Sequence, residues 1–140
     1  MTKVIYHAHF LMKEQREKLK KQFPPVHENS FYHHCTIRYK PKTTAFIHMG
    51  TRAVLYAYGR LTTDKVDVLL VHDIKSANKY PHITLSTAKG IRPGEAKAEI
   101  EANIHKIERF DGYVLNIEVI EGIHDGRNRY TIPLANLQPV

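Results

Sequence analysis

One cysteine, Cys35, and no tryptophan stand among the 140 residues of this chain. A lone thiol excludes an intramolecular disulfide framework and any zinc site built on several thiolates, so stability has to come from packing. Long apolar runs are missing as well. No stretch approaches the roughly 20 residues that span a bilayer, and the opening MTKVIYHAHFLMKEQ alternates with histidine instead of forming a signal-peptide core. These absences lead to the expectation of a cytoplasmic protein with no membrane partner. Acidic residues are scarce: 14 Asp and Glu stand against 21 Lys and Arg, for a formal charge of +7 and a sequence pI of about 9.5. That balance favours anionic partners, nucleic acid first. What is present is an ordinary globular mix, 42% hydrophobic and 25% charged, on a length that suits one core. Residues 1–140 therefore read as a single domain, and ten histidines are the unusual part of it.

Hydrophobic periodicity sets out the elements. KVIYHAHF, residues 3–10, alternates as a strand. From Leu11 the period lengthens, with Leu11, Gln15, Leu19 and Phe23 on one helical stripe that Pro24 and Pro25 stop. Further strands are predicted at 31–39, 52–59, 65–72 and 80–87. Pro93 is placed to open a second helix, whose stripe is Ala96, Ile100, Ile104 and Ile107. Residues 113–120 and 129–133 close the chain as strands. The order β-α-β-β-β-β-α-β-β, with single helices among mostly hairpin-linked strands, predicts an α+β fold with antiparallel sheet and not a doubly wound parallel one.

One short pattern occurs twice. His34-Cys35-Thr36-Ile37 and His82-Ile83-Thr84-Leu85 both read His, any residue, Thr, aliphatic, and both fall in predicted strands. Alternation puts each His and its Thr on one face and the aliphatic residues on the other, so two polar rows, His34-Thr36-Arg38 and His82-Thr84-Ser86, can face one cleft. Such a pair suits phosphodiester cleavage. One neutral imidazole can deprotonate a water while one imidazolium protonates the leaving oxygen, and an unperturbed histidine titrates near pH 6.5. Threonine hydroxyls two residues on can donate to the nonbridging oxygens without a metal.

On these motifs the chain resembles the two-histidine phosphoesterase superfamily, which is defined by a pair of His-x-Thr/Ser-hydrophobic motifs on the central strands of two pseudo-symmetric lobes. The order of strands and helices around HCTI and HITL, and the proline in Pro81-His82, extend the resemblance over most of the chain. It implies two lobes of mainly antiparallel sheet with a central cleft and outer helices. It further implies His34 and His82 as the acid/base pair, with Thr36 and Thr84 binding phosphate. Relatives of this kind include LigT-like RNA cyclic phosphodiesterases, and viral enzymes acting on 2′,5′-linked or cyclic nucleotides. The sequence does not fix which histidine is the base. The motifs lie closer together than in larger members, so the loops that shape substrate choice are trimmed.

Around this centre Tyr6, His7, His9, Arg38, Tyr39, Tyr80 and Ser86 are candidate substrate contacts, Tyr39 and Tyr80 as stacking surfaces for a base. His33 is expected on the opposite face, and Cys35 as a buried filler. His7-x-His9 and His33-His34 leave a metal site as a minor alternative. The leading expectation is a hydrolase that uses no metal or other cofactor, works as a monomer, and takes a 2′,3′-cyclic phosphate RNA end or a related 2′-linked or cyclic nucleotide. A noncatalytic RNA-binding module on the same fold is the competing reading; a viral enzyme acting on 2′,5′-oligoadenylate or cyclic-nucleotide signals would share the chemistry.

Overall fold

A computed structural model describes residues 3–131. Its main strands are β1 (Tyr6–Leu11), β3 (His34–Tyr39), β4 (Arg52–Thr62), β5 (Val66–His72), β6 (His82–Thr87) and β8 (Leu115–His124), with short strands β2 (Asn29–Ser30), β7 (Glu108–Arg109) and β9 (Arg129–Tyr130) at their margins. Helix α1 covers Lys13–Gln22, and α2, Ala96–Asn103, follows a 3₁₀ turn opened by Pro93. The fold is α+β and every strand pairing is antiparallel.

The six long strands close on themselves in the order β1-β3-β6-β5-β4-β8, because β8 pairs with both β1 and β4. Closure into a barrel leaves these strands no open edge. The inward faces supply one core, in which Leu11, Cys35, Leu55, Leu69, Val71, Ile83, Ile117 and Val119 meet. A second core forms outside the barrel, where Val66, Val68 and Leu70 of β5 pack under Ala96 and Ile100 of α2. Strand β5 is thus buried on both faces, which explains its continuous apolar run VLLV after Asp67. Each fully buried Leu, Ile or Val contributes about 1.5–3 kcal/mol.

Element boundaries move where pairing overrides the local pattern. Leu11, expected on the helical stripe, belongs to β1 and is buried opposite Val119. The second helix ends at Asn103, and Ile104–Lys106 form a 3₁₀ turn. Strand β8 continues past residue 120 to His124, held by β1 along its length. The last predicted strand appears only as Arg129–Tyr130, and its positions 132 and 133 lie outside the described residues. Among the described residues no helix is long and apolar enough to cross a membrane.

Candidate active site

The two motif strands are neighbours. Cys35 pairs with Ile83 between antiparallel β3 and β6, both side chains buried inward. Continuing that register sets His34 beside Thr84 and Thr36 beside His82 on the outer face. The four groups occupy the corners of a rectangle whose local two-fold axis passes through the Cys35–Ile83 pair. The histidines lie on a diagonal, a placement that separates backbones by about 7–8 Å.

The aliphatic fourth residue of each motif has a shared role. His7 opposes Arg38 and Ala8 opposes Thr36, so Ile37 is the extra residue of a β-bulge. Asp67 opposes Ser86 and Val68 opposes Thr84, which makes Leu85 the extra residue of a second bulge. Each bulge resets the alternation just after the threonine. In β3 the reset puts Tyr39, opposite Tyr6, on the cleft side in place of Arg38.

The resulting cleft holds about 430 Å³ and is lined by Tyr6, Phe31, His33, His34, Thr36, Tyr39, His82, Thr84, Pro93 and Gly94. The paired His and Thr residues and two of the predicted contacts, Tyr6 and Tyr39, therefore come together. The other five do not. His7 and His9 are on the inward face of β1, each 3% exposed. Arg38 turns into a neighbouring groove. Ser86 is turned aside by the Leu85 bulge and accepts a hydrogen bond from the His27 N–H at 3.1 Å. Tyr80 packs against the α2 core, and only its carbonyl oxygen serves the site.

That carbonyl fixes a tautomer. His82 Nδ1 lies 2.9 Å from Tyr80 O, so the nitrogen there carries the proton and Nε2 is left with a free lone pair. His34 differs. Its ring stacks on Tyr6 at 4.7 Å and tilts against Phe10 at 5.6 Å, and its Nδ1 is buried with no hydrogen-bond partner. An orphaned buried N–H is rarer than an orphaned buried acceptor, so the proton of the neutral ring is assigned to Nε2. Two neutral imidazoles thus offer one acceptor and one donor.

Burial first, and then electrostatic repulsion by the neighbouring histidines His33, His82 and His124 and by Arg129, pushes the His34 pKa down to about 3. Burial likewise lowers His82, against the Tyr80 hydrogen bond, and burial with Arg16 and Arg129 takes His33 down to about 4. Among the described residues no Asp or Glu lines the cleft. An anion is what such a site is short of.

Sequence reasoning missed Phe31, His33, Pro93 and Gly94, and the row that brings Arg129 near. His33 precedes β3 and follows Tyr32, whose φ is 57°, so strand alternation does not reach it and it faces the cleft instead of away. Arg129 pairs with His124, His124 with Tyr6, and Tyr6 with Tyr39, in one line across β9, β8, β1 and β3. The Tyr6 ring stacks on His124 at 5.0 Å as well as on His34. Gly122 permits this: a Cβ there would collide with the Tyr130 carbonyl of β9. None of this has a local signal, since it depends on which strands become neighbours.

The remaining histidines of β1 face the barrel interior with Leu11. His7 Nε2 meets Glu121 Oε2 at 2.7 Å, and His9 Nδ1 meets Asp73 Oδ2 at 2.7 Å. Glu121 also accepts from Lys75 Nζ and from the His48 N–H, each at 2.7 Å. Burial pushes the Glu121 pKa up, but these three hydrogen bonds outweigh it and hold the carboxyl below its ordinary range. One nitrogen of each of these two histidines is engaged by a carboxylate, and among the described residues no three His, Cys, Asp or Glu side chains converge to hold a metal ion. Cys35 is fully buried with its thiol pKa raised by burial and by Asp73.

Compared with known proteins, the sequence matches no family model and no curated protein.

Proposed function

We propose that the chain is a phosphodiesterase that cleaves a 2′,3′-cyclic phosphate RNA end, or a related 2′-linked or cyclic nucleotide, by two-histidine acid-base catalysis without a metal. The observation that carries this reading is the pairing of two unlike histidines across one cleft that no Asp or Glu lines among the described residues: His82 Nδ1 is held by the Tyr80 carbonyl, which leaves Nε2 as an acceptor, and His34 Nδ1 is buried without a partner, which assigns its proton to Nε2. In the step we assign, His82 takes a proton from water as its oxygen bonds to phosphorus. The bond from phosphorus to the ribose oxygen breaks, and His34, protonated to the imidazolium when the phosphate is bound, gives its Nε2 proton to that oxygen and returns to the neutral ring, leaving a phosphomonoester; the proton taken by His82 then returns to solvent. Thr36 and Thr84 donate to the nonbridging oxygens. The charge of the bound phosphate raises the depressed His34 pKa and so arms the acid only when substrate is present.

The finer two-lobed architecture belongs to the same proposal. Strands β8-β1-β3 and β4-β5-β6 are read as two lobes about the Cys35–Ile83 axis, one carrying α1 and the other α2. The matching bulges at Ile37 and Leu85 support that symmetry. A monomer working in the cytoplasm would meet its substrate there.

The test is hydrolysis, in EDTA, of a panel of nucleoside 2′,3′-cyclic phosphates, 2′,5′-linked oligoadenylate and 3′,5′-cyclic dinucleotides by the parent and by His34→Ala and His82→Ala. Cleavage of one class by the parent alone is expected. No cleavage of any class, with salt-dependent RNA binding retained, would turn the assignment to a noncatalytic RNA-binding module.

A further inference from the structure

Beside the cleft, and sharing Tyr39 with it, runs a groove of about 370 Å³ on the β3–β4 connection. Arg38, Lys40 and Lys42 line it, and among the described residues none of the three forms an ion pair and no Asp or Glu joins them in the lining. The Ile37 bulge creates this arrangement by turning Arg38 out of the cleft row and into the groove. Lys40 is held at a φ of 47°, a conformation non-glycine residues seldom adopt, while its N–H donates to Ile5 O at 2.7 Å. The far wall is fastened as well, through Lys75 Nζ to Phe46 O and the His48 N–H to Glu121. Three cations are therefore presented on a braced loop next to the reacting groups, with Tyr39, 63% exposed, on the ridge between the two spaces.

Resting on the function proposed above, we infer that this groove is a subsite for the backbone phosphate of the nucleotide preceding the reacting one. The substrate is then a strand of RNA and not a mononucleotide. One phosphate sits between His34 and His82, Tyr39 offers its ring to a base, and the next phosphate lies among Arg38, Lys40 and Lys42. Phosphate contacts of this kind position a strand without reading its sequence, and stacking on an aromatic ring is equally tolerant of base identity.

The test compares a nucleoside 2′,3′-cyclic phosphate with a trinucleotide ending in the same group, in the parent and in Arg38→Ala/Lys42→Ala. The parent should show a KM at least about tenfold lower for the trinucleotide, a margin of about 1.4 kcal/mol, and the double variant should bring the ratio of the two KM values close to one. A parent ratio near one, or a ratio the double variant leaves as it was, overturns the subsite. Binding of a single-stranded RNA trinucleotide, followed by fluorescence anisotropy against salt, separates this inference from the catalytic one. Each lost phosphate contact should reduce the slope of log K against log salt by about 0.7. A reduced slope in a protein that cleaves nothing would keep the groove and remove the enzyme; an unchanged slope would remove the groove.

Discussion

Two pairs of histidines occupy opposite faces of the same barrel wall and have opposite surroundings. Inside, His7 and His9 each lie 2.7 Å from a carboxylate, and Glu121 collects Lys75 and a backbone N–H besides. Outside, His34 and His82 share a cleft that no acidic side chain lines among the described residues, and their neighbours are a carbonyl, aromatic rings, other histidines and Arg129. A carboxylate spends the capacity of an imidazole on a fixed bond. Without one, the ring keeps a nitrogen for a ligand, and its suppressed charge makes an anion welcome. Residue type is the same in both pairs, so the neighbours decide which pair binds the structure together and which keeps a nitrogen free.

The largest expected effect is on turnover. His34→Ala and His82→Ala should each lower kcat by about 10²–10⁴-fold while thermal unfolding stays close to the parent, because neither side chain has a charged partner to orphan. Equal loss of activity in a His7→Gln variant that folds normally would break the comparison. Glu121→Ala should act on the other quantity: leaving His7 and Lys75 without their shared partner costs about 3–5 kcal/mol, measured by urea unfolding. A smaller effect on catalysis is expected from Thr36→Val and Thr84→Val, about 2.7–4 kcal/mol in kcat/KM if each hydroxyl donates to a developing charge.

The gentlest difference is in pH. Folded His34 and His33 have pKa values of about 3 and about 4, both below the unfolded histidine value. The unfolded chain therefore binds more protons between those values and pH 6.5. Their contribution to stability is complete above about pH 6.5 and declines as the pH falls through that window. His34→Gln should flatten this acid slope in urea titrations at a series of pH values; an unaltered slope would mean that His34 is not held neutral.

How much of this could be read from the chain depended on the range of the interaction. The His-x-Thr motifs, their strands and both helices follow from local periodicity, and the α+β assignment follows from their order. Barrel closure does not, because β8 joins β1 across more than a hundred residues. The rows of side chains after each threonine could not be read either. Perfect alternation assigns Arg38 and Ser86 to the cleft, and a single extra residue, Ile37 or Leu85, redirects both. His9 is a related case: a histidine on an alternating strand looks like a surface group until Asp73, just after β5, and Glu121, within β8, arrive from far along the sequence to bury it.

Long-range proton–nitrogen correlation NMR of the imidazole rings in the ligand-free protein, from pH 5.5 to 8, tests the contrast most directly. The account predicts that His34 and His82 remain neutral above pH 6.5, with the proton on Nδ1 in His82 and on Nε2 in His34. A His34 that titrates with a midpoint near 6.5, or a His82 carrying its proton on Nε2, would contradict it.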